Sequence, residues 1–135
     1  GNERDAIVRV RVNQSFFRRR VLSAYGFKCC VSGLTTRPLL VASHVIPWAE
    51  DSVNRLNPRN GLCLNALHER AFDRFLMWID SGLVVRLSPK LLEAKKESKT
   101  TVDWLMSFDG KGLLLPKNFQ PDSDLLAKHA ARCTR

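Results

Sequence analysis

Two of the chain's three histidines, His44 and His68, flank Asn60 within a stretch of 25 residues rich in turn formers. An imidazole can take a proton from water at neutral pH, a second can ligate a divalent cation, and an amide between them can hold a loop. Hydrolysis of a phosphodiester needs those three jobs: a general base for water, a cation to neutralise charge on the phosphorane and leaving oxygen, and a brace for the base. Spacing alone leaves plainer readings open. His44 stands beside apolar residues, as a satisfied core histidine would. His68 fits a helix-capping or core role, and Asn60 before Gly61 fits a simple turn. His129 reads as a packing or surface residue.

The elements that must carry these groups follow from periodicity. Leu39 to Ala42 is short enough for a strand and delivers Ser43 and His44 at its end. A polar loop with two prolines and two asparagines separates it from Gly61 to Leu64, a second short strand that can pair with the first. Asn65 suits the N-cap of a helix whose apolar face is Leu64, Leu67, Ala71 and Phe75, which places His68 in the first turns. Strand, loop, strand and helix therefore run in order. Upstream, Phe17, Val21, Ala24 and Tyr25 have helical spacing from Gln14 onward, with Gly26 as the stop. Residues 1–12 alternate Ile7, Val8, Val10 and Val12 with Arg9 and Arg11, which reads as a linker or a short edge strand. Downstream, Met77 to Ile79 and Leu83 to Leu87 flank Asp80, Ser81 and Gly82, a hairpin signal. Pro89 to Lys99 is basic and helix-permissive, and Pro121 with Asp122 introduces a last helix through Leu125, Leu126 and His129.

Composition narrows the class. At 135 residues, 44% hydrophobic and 26% charged, the chain suits one globular domain. Its apolar runs fall far short of the roughly 20 residues that span a bilayer. No apolar segment behind the first basic residues reads as a secretory signal, so a cytoplasmic setting is expected. Lys and Arg number 22 against 13 Asp and Glu, a formal net charge of +9 that points to a polyanionic partner. Cys29, Cys30, Cys63 and Cys133 form no C-x-x-C pair, so neither a structural zinc nor a disulfide framework is expected.

Three segments together resemble the HNH endonucleases: Leu40-Val41-Ala42-Ser43-His44-Val45-Ile46-Pro47-Trp48, Arg55-Leu56-Asn57-Pro58-Arg59-Asn60-Gly61-Leu62 and Leu67-His68-Glu69-Arg70-Ala71-Phe72-Asp73. The opening helix with Asn13, Gln14, Phe17 and Arg18, the turn Cys30 to Gly33, and the tail Gly112 to Pro116 with Leu126, Lys128 and His129 are similar to the branch found in bacterial restriction-type proteins. The resemblance implies an α+β fold: a ββα-metal core over residues 38–75, with an N-terminal helix and a C-terminal hairpin and helix, the whole domain running over 13–135. It implies that His44 activates water, that Asn60 braces the loop or the base, and that His68, with Asn60, holds a divalent cation. Mg²⁺ or Mn²⁺ is the expected ion, with Co²⁺ or Ni²⁺ suited to an imidazole site. The sequence departs from the family at Ser43, where many members carry a metal-binding Asp, and at Phe75, where this branch usually has Gly. Asp73, five residues after His68, lies about 140° around a helix from it, which favours a supporting role over metal ligation.

The resemblance implies, as the expected function, a divalent-metal-dependent DNA endonuclease, the cleavage module of a restriction or defence protein whose recognition domain lies outside this segment. Arg18, Arg19, Arg59 and Arg70 are the expected DNA contacts, being polar-face or loop residues near the motif. Two other readings stay open: a DNA-binding module that has lost catalysis, favoured by Ser43, and an RNA-cleaving, toxin-like nuclease. A homodimer is compatible with each.

Overall fold

A computed structural model describes residues 2–134. Helix α1 (Asn2–Ala24) leads to strand β1 (Leu40–His44), and β2 (Gly61–Asn65) runs directly into α2 (Ala66–Asp73). Then come β3 (Met77–Ile79), β4 (Val85–Leu87), α3 (Lys99–Met106) and α4 (Ser123–Cys133). Strands β1 and β2 form one antiparallel pair, with Leu40 opposite Asn65 and His44 opposite Gly61; β3 and β4 form a second. The architecture is α+β, with the ββα unit at its centre.

Residues 2–13 are helical, which corrects the expected linker or edge strand. The alternation of Ile7, Val8, Val10 and Val12 is too short to specify a strand without a partner edge. The helix seeded by the buried Phe17, Val21, Leu22 and Ala24 extends backward without a new nucleation cost. Glu3 and Asp5 in its first turn suit the positive end of the helix dipole. At the other end Gly26 adopts φ +62, donating its N–H to Ser23 while Phe27 donates to Leu22, a Schellman close.

Helix α1 packs on the ββ unit through an unusually close approach at Gly61. A Cβ there would lie 2.4 Å from Val21 Cγ2 and 3.0 Å from Phe17 Cζ. Helix α2 starts where Asn65 Oδ1 accepts from the N–H groups of Leu67 and His68, both at 3.0 Å. It ends in a second Schellman close, Phe75 N–H to Phe72 and Leu76 N–H to Ala71, with Phe75 itself at φ +62. A non-glycine residue held there costs roughly 1–2 kcal/mol. Asp80 closes the β3–β4 hairpin by accepting from the N–H groups of Gly82 and Val84. Asp122 caps α4, as its sequence neighbourhood suggests.

Candidate active site

His44 stands at the end of β1 with its ring stacked on Phe17 of α1, centroids 3.8 Å apart and planes within 10°. Trp48 meets it edge-on at 5.7 Å. Nε2 lies 2.9 Å from the carbonyl oxygen of Arg55, which can only accept. Nε2 therefore carries the proton, and Nδ1 keeps the free lone pair. Burial depresses the pKa of His44, against a smaller opposing effect of the Arg55 hydrogen bond, so the ring is neutral at pH 7. A neutral imidazole with a fixed tautomer is a competent general base.

The loop between the strands supplies that carbonyl and is rigid for a stated reason. Asp51 Oδ1 accepts from the N–H groups of Val53 and Asn54, Asn54 Oδ1 accepts from Asn57, and Asn54's carbonyl accepts from Asn60. Arg55 Nε donates to the carbonyl of Trp48, with its guanidinium over the indole. Asn60, 0% exposed, closes the loop against the strand end. Its Oδ1 accepts from Ile46 N–H at 2.9 Å and its Nδ2 donates to Ile46 O at 3.1 Å. Asn60 clamps the segment that follows His44.

The expected pairing of His68 and Asn60 around a cation does not fit this geometry. Both polar atoms of the Asn60 amide are engaged with backbone. His68 is 0% exposed, does not line the His44 cleft, and packs between Trp104 at 4.9 Å and Phe108 at 5.1 Å. Its Nδ1 accepts from Asn65 Nδ2 at 2.8 Å, and its Nε2 is buried without a partner. Burial pushes its pKa down to about 4. The physical reason is packing: Trp104 and Phe108 cover the His68 ring, while Phe72 and Asp73, at the end of α2, line the cleft.

A narrow cleft is lined by His44, Val45, Ile46, Pro47, Phe72, Asp73, Phe75, His129 and Arg132. Asp73 thus shares a cleft with His44, where sequence spacing gave it only a supporting part. Glu69, one turn back on α2, has its carboxyl pKa raised by partial burial and by the Asp73 charge. Ser43 is buried on β1 and does not line the cleft. His129, 3% exposed, stacks on Phe72 at 3.6 Å and donates from Nε2 to the Phe72 carbonyl at 2.8 Å, tying α4 to the end of α2. Arg18, Arg19, Arg59 and Arg70 are exposed but line no part of the cleft, and Arg59 donates to Gln120 O at 3.3 Å. Arg132 is the lysine or arginine that does line it, and nothing in its local sequence announced this.

Among the described residues no group of three His, Cys, Asp or Glu side chains is arranged to hold a metal. A single carboxylate beside a base remains suited to a hard cation that keeps most of its water.

Residues 29–80, from the turn before β1 through β3, match the family described as HNH endonuclease. This segment belongs to the HNH endonuclease family. It holds the ββα unit with His44, Asn60, His68 and Asp73, so the HNH segment is that of a phosphodiester hydrolase. Against curated proteins the chain has no match. Helices α1 and α4, which contribute Phe17 and Arg132, lie outside the matched residues. No helix among the described residues is long and apolar enough to cross a membrane.

Proposed function

We propose that the chain is a divalent-metal-dependent DNA endonuclease, the cutting module of a restriction or defence protein whose site-recognition part lies outside this segment. The observation that carries the reading is the hydrogen bond from His44 Nε2 to the Arg55 carbonyl. It orients the imidazole, selects the tautomer and leaves Nδ1 to accept a proton from water attacking a phosphorus in the cleft. Phe17 and Trp48 confine the ring, and Asn60 keeps the loop from drifting off Nε2.

The Asp73 carboxylate is the oxygen donor in the cleft that would hold Mg²⁺ or Mn²⁺, with waters and DNA phosphate oxygens to fill the rest of the shell. Such an ion supplies charge neutralisation on the phosphate and leaving oxygen. The reading as an inactive binding module rested on Ser43, a residue outside the cleft. The formal charge of +9 favours nucleic acid as substrate, and exposed Arg18, Arg19 and Arg70 are free to meet phosphates at a distance from the reacting one.

Supercoiled plasmid and total RNA incubated side by side, with Mg²⁺, Mn²⁺ or EDTA, test this. Nicked and linear plasmid is expected with either ion, none with EDTA, and intact RNA throughout. Cutting in EDTA overturns the metal dependence; cutting of RNA alone overturns the choice of DNA.

A further inference from the structure

Phe75 occupies a backbone conformation that glycine adopts freely, at the residue where α2 closes with φ +62. Phe27, Leu83 and Phe119 also take positive φ, and what distinguishes Phe75 is where its ring lies. The Phe75 ring lies under the guanidinium of Arg132, 4.3 Å from Cζ to the ring centroid, and beside the buried ring of His129 at 5.5 Å. His129 is pinned to the Phe72 carbonyl, one turn before Arg132 on α4, so the helix that carries the arginine is fixed and the Phe75 ring supports its head. Among the described residues Arg132 is the one arginine or lysine that lines the cleft, which it shares with Asp73.

The guanidinium is already engaged by an anion. Arg132 Nη1 donates to both carboxylate oxygens of Glu50, in the loop that follows His44, at 3.0 Å and 3.3 Å. Both side chains are open to water, at 38% and 50% exposure, so the pair is exchangeable and of small net stability. A carboxylate and a phosphodiester offer a guanidinium the same thing, two oxygens sharing a negative charge.

We propose that Arg132, carried on the Phe75 ring, binds a backbone phosphate of the DNA in the cleft, and that Glu50 holds that position in the free protein and leaves it when DNA enters. This rests on the endonuclease reading. Arg132 meets the phosphate directly, Phe75 is a positioning residue, and Glu50 is a competitor.

The test is equilibrium binding of a fluorescein-labelled duplex by anisotropy, in EDTA so that nothing is cut, across a range of salt concentrations. Removing one phosphate contact lowers the salt slope by about 0.9. Arg132→Ala is expected to reduce the slope by about that amount and to weaken binding roughly tenfold. Glu50→Gln is expected to tighten binding several-fold, and Phe75→Gly to weaken it while the protein stays folded by circular dichroism. Should Arg132→Ala fail to fold by circular dichroism, Arg132→Lys keeps the charge without the fork: the slope should stay and the affinity fall. An unchanged slope and affinity in a folded Arg132→Ala, undiminished affinity in Arg132→Lys, or weaker binding by Glu50→Gln overturns the proposal. A wild-type protein that cuts no plasmid with either ion would instead overturn the endonuclease reading, which the binding experiment does not measure.

Discussion

Gly61→Ala should damage both the fold and the site, through one contact. The added methyl would meet Val21 Cγ2 at 2.4 Å, Phe17 Cζ at 3.0 Å and the Pro58 carbonyl oxygen at 3.2 Å. Comfortable carbon–carbon contact begins near about 3.5 Å, so Val21 must yield by roughly 1 Å. Val21 is completely buried and stiff at χ1, so the strain passes to the α1 backbone. Overpacking of this kind costs about 1–3 kcal/mol. Phe17 carries His44 on its ring face, so a displaced α1 also loosens the imidazole from the Arg55 carbonyl. Urea unfolding followed by the fluorescence of the three tryptophans should show a lower midpoint at unchanged m. Val21→Ala removes the clashing atom, so the double variant should be at least about 1 kcal/mol more stable than the sum of the two single losses predicts. Strict additivity, or a Gly61→Ala protein as stable as the wild type, would refute the close-approach argument.

The remaining expectations concern the titrating and ligating groups. Cleavage should rise with pH through the depressed His44 pKa and be level at neutral pH, so a midpoint above the usual histidine value of about 6.5 in the kcat/KM profile counts against His44 as base. His68 binds a proton more readily unfolded than folded. Its contribution is therefore complete above about pH 6.5 and is lost as the pH falls toward about 4, lowering stability by up to about 3 kcal/mol; His68→Leu should flatten that acid limb in a series of urea midpoints. Asp73→Asn should reduce metal-supported cleavage roughly 10²-fold or more with little change in the unfolding midpoint. His68→Ala should do the reverse, costing about 2–4 kcal/mol in stability while the remaining folded protein keeps its dependence on the ion; a shifted ion requirement in His68→Ala would restore that residue as a ligand.

The parts of this protein that could be read from sequence are those with short-range causes. Gly26 stops α1, Asn65 and Asp122 cap α2 and α4, and Asp80 to Gly82 turn the hairpin, each by bonds spanning a few residues. Helix α3 escaped because Thr100, Thr101 and Val102 are weak helix formers, and Trp104 and Phe108 find their partner in His68, far back in the chain. The same long-range packing decided the site. Spacing brought His44 and Asn60 to the two ends of one loop, because antiparallel pairing of β1 and β2 does that locally. That His68 is withdrawn from the cleft depends on Trp104 of α3 and on Phe108 after it covering its ring. Arg132 arrives from the last helix on the strength of His129 docking against Phe72, a contact that no local pattern encodes.

The account turns on His44, and single-turnover cleavage of a labelled duplex by His44→Ala, with affinity measured in parallel in EDTA, addresses it most directly. Loss of a general base should slow cleavage about 10²- to 10⁴-fold with affinity nearly unchanged. Cleavage at the wild-type rate, or affinity falling in step with the rate, would contradict it.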